Sequence, residues 1–393
     1  MSAVEDTRTP QIPFWNDPKT RSVAVQAIIV VAVVLGAYYL YSNAVANLAK
    51  LNKTFGYEFW NRTAGFDIIQ SMIPYTSDSS YGTAIITGFL NTLLIAILGI
   101  IFATVIGFFV GIMRLSKNWL VAKIAMVYIE TVRNVPLLLQ LFVWYKLVLV
   151  PLPDSREALN LGDMFYLSKK GLNLPLPIFG AGGWMAIVGL IVGVIGAIAL
   201  RRWAVARQTA TGQIFPHLSL GILIVMLSPF IGLMLAGWPV TLDYPVGGVF
   251  GFKGGATVVP ELIAMLVGIS VYTASFIAEI VRAGIQAVSH GQTEASSALG
   301  IRSGLTTRLV IVPQAMRIII PPLASQYLNL TKNSSLGVAI AYPDLVSTGG
   351  TVLNQTGKAI EIVLIWMVVY LSLSLLTSLF MNWFNARVKL VER

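Results

Sequence analysis

The sequence of 393 residues contains no cysteine and only two histidines, His217 and His290. Without cysteine there is no disulfide scaffold, no thiolate metal site and no cysteine nucleophile. No HExxH pattern is present, so the sequence offers no recognisable zinc site. A Walker loop of the form GxxxxGK[ST] and a serine elbow of the form GxSxG are also missing. The chain therefore has no identifiable catalytic site and cannot bind ATP in the Walker manner.

Charged residues are scarce as well. They make up 11% of the chain, whereas 56% is hydrophobic, and a soluble domain carries about a quarter charged residues. The alternating pattern of a membrane β-barrel is missing. The first 22 residues contain Asp6, Asp17, Pro10 and Pro13, which do not fit a cleaved signal peptide. The composition indicates an integral membrane protein of the helical class.

Eight apolar runs are long enough for helices of roughly 20 residues that cross a membrane. They cover about 23–43, 84–112, 124–145, 184–200, 217–237, 260–281, 318–342 and 362–385. The fourth run is short. Pro, Gly, Asn, Ser and Tyr are frequent in the outer segments 44–83 and 146–183, so we expect short helices or turns there and no folded domain. The predicted fold class is an all-α polytopic membrane protein.

The distribution of charge predicts the topology. With the N-terminus in the cytoplasm, the cytoplasmic face carries sixteen Lys or Arg and five Asp or Glu, against nine and ten on the outer face. This asymmetry follows the positive-inside rule, and eight spans place both termini in the cytoplasm. The net charge of +10 is therefore explained by topology, without a nucleic-acid partner.

Small residues mark two faces for close helix packing. Gly107 and Gly111 form one small-xxx-small pair, and Gly189 and Gly193 form another. Such pairs let two helices approach closely in lipid. The alternative is that these glycines reflect only the general frequency of glycine in membrane spans.

Two spans carry an acid and a base three residues apart. Glu130 and Arg133 lie early in the third run, followed by Asn134 and Gln140. On a continuous helix Glu130 and Asn134 share one face, Arg133 and Gln140 share another, and Glu130 and Arg133 are placed to pair. These ionisable groups face a bundle interior or water, as a structural clamp or as part of a substrate path.

The second acid–base pair, Glu279 and Arg282, closes the sixth run. The same i,i+3 spacing favours a structural pair, with a role in the substrate path as the alternative.

A polar stripe follows in the seventh run. Its members recur at helical spacing: Gln326, Asn329, Lys332 and Asn333. Burying such a stripe in lipid is costly, so we expect it to line a translocation pathway, where Lys332 suits a carboxylate. A face packed on a neighbouring subunit is the alternative. The tandem Pro321-Pro322 is expected to begin or kink this helix.

The segment Gly291–Pro313 is polar although it lies between two apolar runs. We expect a short helix with Glu294 in its first turn, where the helix dipole favours an anion. Small residues from Ala295 to Ala298 keep that helix slim. Gly300 permits a turn after it, and Pro313 marks where the next helical element begins.

This segment resembles the EAA loop of ABC importer permeases, written EAA-x3-G-x9-I-x-L-P, within residues 289–315. The positions expected to contact an ATPase are Gly291, Glu294, Ala295, Gly300, Arg302 and Pro313. The chain departs from the pattern conservatively at Ser296, Val310 and Val312.

Three further segments are similar to polar amino-acid permeases of the histidine/glutamine type. They are residues 130–140, 272–286 and 330–336. The resemblance covers about 84–145 and 260–390, a core of five spans. The extra first span and the pair at 184–237 resemble the Q-type permease of the general L-amino-acid importers of Gram-negative bacteria.

The resemblance implies a subunit of the bacterial inner membrane that moves L-amino acids from periplasm to cytoplasm. The chain itself would bind no cofactor, because ATP and Mg belong to two partner ATPase subunits. A second homologous permease and a periplasmic amino-acid-binding protein would complete the complex. The alternatives are an ion-coupled secondary transporter, which would need no ATPase, a permease for another small polar solute, and a membrane-embedded enzyme, for which no nucleophile or metal cluster is found.

The resemblance also divides the chain. Residues 1–83 form a cytoplasmic tail, the extra span and a periplasmic segment. Residues 84–150 and 260–393 form the two parts of the permease core, and 151–259 hold periplasmic segments and the inserted pair of spans.

Overall fold

The computed structural model describes residues 17–50, 55–213, 215–248 and 251–388. The predicted cytoplasmic tail lies outside these residues, except for its last few positions. The helices are α1 (Pro18–Lys50), α2 (Tyr81–Arg114), α3 (Trp119–Asn134), α4 (Leu137–Phe142), α5 (Met185–Thr211), α6 (His217–Leu235), α7 (Pro260–Gln286), α8 (His290–Ala298), α9 (Ser303–Thr306), α10 (Val312–Asn333), α11 (Leu345–Thr356) and α12 (Ala359–Val388). Seven of the described helices are long and apolar enough to span a membrane, and one broken pair brings the number to as many as eight. The prediction of about eight spans is confirmed.

The third predicted span is not one helix. Helix α3 ends at Asn134, and the chain turns by 105° into the segment Leu137–Leu149. Pro136 lacks an N–H and disfavours helical geometry at Val135, so the break falls at this dipeptide. The expectation that Arg133 and Gln140 share a face of a continuous helix was therefore wrong.

Two other spans are longer than predicted. Helix α5 covers 27 residues and continues past the apolar run to Thr211, so the expectation of a short fourth span was wrong. The seventh span is helical from Ser303 to Ile340. A π-helical stretch, Thr307–Ile311, precedes Pro313 and accommodates its missing N–H. Pro321 and Pro322 lie inside α10 and do not begin it.

Short β-strands form much of the outer segments around the hairpin of α5 and α6. The strands are β1 (Leu159–Leu161), β2 (Phe165–Ser168), β3 (Gly171–Leu174), β4 (Leu176–Phe179), β5 (Val240–Asp243), β6 (Val246–Gly248), β7 (Gly251–Lys253) and β8 (Ala256–Val258). One antiparallel sheet has the order β1-β2-β3-β8, and β4 pairs with β5 and β6 with β7. The expectation of only short helices or turns in 146–183 was wrong: β1, β2 and β3 pair locally, and β3 and β4 also pair with β8 and β5 from residues 240–258. Segment 55–80 does consist of a 3-10 turn and bends.

The core lies where α2 runs beside α7, with α10 packed against both helices. Gly107 approaches α7 so closely that an added Cβ would lie 2.6 Å from Cβ of Ile277. At Gly111 an added Cβ would lie 2.8 Å from the carbonyl oxygen of Ala278. Both glycines are fully enclosed, so the first predicted small-residue face is confirmed as a packing face.

The hairpin of α5 and α6 is held together in the same way but stands apart from that core. An added Cβ on Gly189 would lie 2.3 Å from the carbonyl oxygen of Ser228, and one on Gly193 would lie 2.0 Å from its Oγ. The second small-residue face is therefore also confirmed. Helix α5 packs extensively on α6 and makes no comparable contact with any other described helix. Helix α1 is likewise isolated, with none of its apolar stretch buried in the described chain.

Candidate functional site

The predicted coupling loop forms helix α8, a turn and helix α9. Helix α8 has nine residues and is therefore about 14 Å long. Gly300 follows it with φ +69°, a left-handed conformation that glycine adopts without strain. Ile301 N donates to the carbonyl oxygen of Ser296 (3.0 Å) and closes the turn. Arg302 precedes α9, and the amides of Leu305 and Thr306 donate to its carbonyl oxygen. The short helix and the turn at Gly300 are confirmed.

Two details of the loop differ from expectation. Helix α8 begins at His290, so Glu294 lies in its second turn and not its first. Its Oε1 lies 2.9 Å from Nδ1 of His290 on the exposed surface, so the neighbour of the carboxylate is a side chain and not the helix terminus. The next helix was expected to begin at Pro313, but helical geometry resumes ten residues earlier, at Ser303. Helix α9, the π-helical stretch Thr307–Ile311 and α10 follow one another without a break.

The surface of α8 is polar and accessible. Gly291, Glu294 and Ala295 are exposed, and Ser296 is the single buried residue of the helix. Leu299, at the end of the rod, has 78% of its surface exposed. Gln314 Nε2 donates to Oε1 of Gln292 (3.2 Å) and ties the rod to the start of α10. A helix without an apolar face gains nothing by lying in lipid, so α8 is shaped to contact water or a partner.

The two acid–base motifs come together, although the sequence treats them separately. Arg282 Nε donates to Oε2 of Glu279 (2.9 Å), so this predicted pair forms. The guanidinium of Arg133 lies over the ring of Phe276, 5.1 Å from its centroid and one turn before Glu279 on α7. Arg133 and Arg114 both contribute to the electrostatic potential at the Glu279 carboxylate. One carboxylate therefore sits among three arginines near the ends of α2, α3 and α7.

The predicted pair of Glu130 with Arg133 does not form among the described residues, and both side chains are exposed. Asn134 Nδ2 instead donates to the carbonyl oxygen of Glu130 (2.7 Å) at the end of α3. Gln140 is buried, and its Nε2 donates to the carbonyl oxygens of Val132 and Val135, 2.9 Å each. Gln140 thus satisfies backbone groups that the break at Pro136 leaves open.

The polar stripe of α10 lies on an open face. Asn329 and Lys332 are exposed, and Gln326 and Asn333 are half-buried. Their side chains form no hydrogen bond or ion pair with any part of the chain that the structure describes, so they are available to a solute or a second subunit. Tyr327, one residue along, faces inward and its hydroxyl lies 2.9 Å from Oγ1 of Thr104 on α2.

A buried polar cluster between α2 and α11 escaped the sequence analysis. Asp344 is fully buried and caps α11, with Oδ1 accepting from Ser347 N (2.7 Å). Asn91 Nδ2 donates to the carbonyl oxygens of Gln70 (2.7 Å) and Pro343 (2.9 Å). Leu345 N donates to Oγ1 of Thr92 (3.0 Å). A polar Asn91 in the middle of an apolar run, and an Asp before a helix start, were the available signals.

Two oxygen atoms of this cluster, Asp344 Oδ2 and Asn91 Oδ1, have no hydrogen-bond partner among the described residues. Asp344 lies between the seventh and eighth spans, outside both. Burial raises the pKa of the Asp344 carboxyl to about 7, against the lowering effect of backbone amides at the helix start. The described residues contain no group of three or more His, Cys, Asp or Glu that could hold a metal ion.

Comparison with known proteins gives consistent matches. Residues 189–390 match the family of binding-protein-dependent transport system inner membrane components. The general L-amino acid transport system permease protein AapQ of Rhizobium johnstonii is 52% identical over 96% of this chain and 94% of its own length. The glutamate/glutamine/aspartate/asparagine transport system permease protein BztB of Rhodobacter capsulatus is 41% identical over 96% of both chains. In a crystal structure of an amino acid ABC transporter with histidines, one chain has a TM-score of 0.47 and 21% identity, covering 78% of this chain and 95% of that chain.

Proposed function

The chain belongs to the family of binding-protein-dependent transport system inner membrane components, and from this premise we propose that it is the permease subunit of an ATP-driven importer of L-amino acids. The substrate class is supported by two relatives that align over nearly their whole length and whose names specify amino acids. Because no Walker motif occurs in the sequence, ATP and Mg are assigned to partner ATPase subunits. The family and its relatives support the inner membrane of a bacterium, and the charge asymmetry supports both termini in the cytoplasm.

The observation that carries the proposal is the exposed polar rod α8. It connects two membrane spans, has no apolar face, and ends in the exposed side chain of Leu299. A rod about 14 Å long can enter a groove in a partner, where Leu299 would act as a buried anchor. We assign Gly291, Glu294, Ala295, Gly300, Arg302 and Pro313 to this coupling element, with Leu299 added.

We place the translocation path on the open face of α10. Lys332 and Asn329 are exposed and unpaired in the described chain, and a second homologous permease would close a path over them. Asn333 and Gln326 border the same face. Glu279 and Arg133, with Glu130 and Asn134 nearby, would lie toward the cytoplasmic end of that path, and Gln140 would maintain the break that shapes it.

The proposed assembly has two ATPases, two related permeases and a periplasmic binding protein that delivers the amino acid. In it, residues 84–150 and 260–393 form the permease core, and 1–83 and 151–259 are additions. ATP binding brings the ATPases together, and α8 transmits that movement to α7 and α10. The ATPases drive transport only if they bind the inward-open and outward-open states with different affinity.

The substitution Leu299→Asp tests the coupling element. It places a charge on the anchor of α8, so ATPase binding should weaken by about 30-fold, the loss of one interface anchor of roughly 2 kcal/mol. The ATPase should no longer copurify with the permease, and uptake of amino acids into proteoliposomes should stop. Ala295→Trp, which thickens the exposed rod, should have the same effect.

Ile69→Asp is the matched control. Ile69 is also an exposed apolar residue, 83% accessible. It lies in segment 55–80, which precedes the N-terminal end of α2, whereas α8 follows the C-terminal end of α7. This variant should retain its ATPase. If Leu299→Asp and Ala295→Trp both copurify with the ATPase and support normal uptake, α8 is not the coupling element.

A further inference from the structure

The hairpin of α5 and α6 carries a groove on one face that leads to a cationic end. The groove encloses about 580 Å³. Val194 and Ile198 of α5 and Ile222 and Met226 of α6 form its walls. Arg201 and His217 lie at one end. A surface that is apolar along its length and positively charged at its end matches an amphiphile with an anionic head.

Small residues make the floor of this groove. Gly221 faces Ala197, and an added Cβ on Gly221 would lie 3.5 Å from Cβ of Ala197, an ordinary contact distance. The space above them is therefore open, since neither residue extends into it. A Cβ at position 221 therefore fits without forcing the two helices apart, and a longer side chain there would extend from it into the groove that Gly221 lines.

The cationic end lies at the depth of lipid headgroups. Arg201 follows the start of α5 by sixteen residues, or about 24 Å along the helix axis. The hydrocarbon core of a bilayer is about 30 Å thick, and arginine side chains extend toward its surface. Trp203, two residues further, suits the same interfacial depth. The groove then runs from the headgroups into the hydrocarbon.

Nothing in the hairpin neutralises this charge. Residues 185–235 contain three arginines and no Asp or Glu. Arg207 is engaged, with Nη2 donating to Oε1 of Gln213 (2.8 Å) and its guanidinium over the ring of Trp203. His217 donates from Nδ1 to the carbonyl oxygen of Phe215 (3.1 Å), which leaves Nε2 to accept a hydrogen bond from a headgroup hydroxyl. Arg201 is exposed and forms no ion pair with the described part of the chain.

We propose that this groove binds one anionic phospholipid, with its phosphate on Arg201 and an acyl chain between α5 and α6. Guanidinium groups bind phosphate through two parallel hydrogen bonds, and basic pockets between membrane helices bind anionic headgroups. A partner helix in the groove is the competing occupant. Arg201 favours the lipid, because the walls offer no polar group to orient a helix and the charge at the end requires an anion.

The opposite face of the hairpin provides a matched control. A second groove of about 460 Å³ runs there past Gly196, and its lining contains no charged residue. An added Cβ on Gly196 would lie 3.8 Å from Cγ2 of Ile224, again an ordinary contact. Gly221→Leu and Gly196→Leu are therefore the same substitution in two grooves, only one of which has a cationic end.

The test is native mass spectrometry of the complete complex titrated with phosphatidylglycerol or phosphatidylcholine. The wild type should retain one phosphatidylglycerol in preference to phosphatidylcholine. Arg201→Gln should reduce that preference about tenfold, the loss of a charge-assisted hydrogen bond. Gly221→Leu should abolish retention, whereas Gly196→Leu should leave it unchanged.

Equal retention of the two lipids by the wild type, or undiminished retention by Gly221→Leu, would overturn the proposal. A second measurement addresses the competing occupant. Because the chain has no cysteine, a single Met226→Cys reports on the groove alone. Crosslinking of this cysteine to a partner permease in the native membrane would show that protein fills the groove and would also overturn the proposal. Labelling by a lipid-soluble maleimide without such a crosslink would support it.

Discussion

The core and the α5–α6 hairpin both use glycines for close helix packing, but they differ in how many helices pack around that contact. In both, glycines let helix backbones touch: Gly107 against Ile277 in the core, Gly189 against Ser228 in the hairpin. The core adds a third and fourth layer through α10 and α12, whereas the hairpin consists of two helices whose outer faces are almost wholly apolar and exposed. Close packing alone therefore does not show which helices belong to the permease unit. What distinguishes the core is continuity of contact around α7.

Polar chemistry divides the two regions in the same way. The core buries Asp344 and Glu361, each almost fully enclosed, and supports them with neighbouring segments. The hairpin has no carboxylate in residues 185–235, and its three arginines lie toward one end. Buried carboxylates depend on surrounding structure that holds their partners in place, so they occur where helices pack on several sides. The hairpin instead meets the lipid with apolar walls and a charged rim.

Among substitutions that distinguish the core from the hairpin, Gly107→Leu is expected to lower the stability of the complex most. Its Cβ would lie within 2.6 Å of Ile277, between two helices that have no room to separate. Overpacking at such a site costs about 3 kcal/mol or more, so the variant should assemble poorly and melt well below the wild type. The measurement is the melting temperature of the purified complex and its yield.

Two matched substitutions sharpen this result. Gly189→Leu creates an equally close contact inside the hairpin, and it should leave assembly and uptake largely intact. Gly36→Leu in α1, with no other atom within 4 Å of its added Cβ, should be neutral. Equal loss of assembly for Gly107→Leu and Gly189→Leu would mean that the hairpin is part of the permease core.

Asp344→Asn should produce a smaller change, a rise in melting temperature that depends on pH. The hairpin has no buried carboxylate that could show it. The folded pKa of Asp344 is about 7, above its ordinary value of 3.8, because burial disfavours the carboxylate. Its contribution to stability is therefore complete below about pH 4 and is lost as pH rises through 7. Asparagine caps a helix nearly as well as aspartate. The variant should melt several degrees above the wild type at pH 8 and exceed it by a smaller margin at pH 5.

Asp78→Asn is the control for this measurement. Asp78 is exposed in the outer segment, so its replacement should shift the melting temperature equally at both pH values. A melting curve of Asp344→Asn that parallels the wild type from pH 5 to pH 8 would show that solvent reaches Asp344.

The loop and most spans were predictable because their signals are local. A polar segment between apolar runs, with Gly300 placed for a turn, gave α8 correctly, and apolar length gave the number of spans. The errors arise where contacts between residues far apart in the sequence determine the structure. The strands β3 and β8 pair across some 80 residues, and short strands carry no clear pattern alone. Glu279 attracts Arg133 from another helix, and the i,i+3 rule cannot detect such a neighbour.

Parts of the candidate site also depend on residues that are distant in the sequence or belong to another chain. The stripe on α10 is a local helical pattern, in which Asn329 and Lys332 are exposed and Gln326 and Asn333 are half-buried. Its partner is another chain, which a single sequence does not contain. Asp344 was missed because one aspartate before a helix reads as an ordinary cap, and only the tertiary fold encloses it between α2 and α11.

The smallest effect on the core is expected from removing the hairpin. Strands β4 and β5 pair directly, with Phe179 opposite Val240, so residues 180–239 can be replaced by Asn-Gly, a turn that joins antiparallel strands. Because α5 and α6 pack mainly on each other, the shortened chain should keep its ATPase and melt within about 3 °C of the wild type, since less than 1 kcal/mol of core packing is lost. Its retention of phosphatidylglycerol should disappear. A shortened chain that fails to assemble would contradict the separation of hairpin and core, because the hairpin would then stabilise the core through contacts that only the complete complex makes.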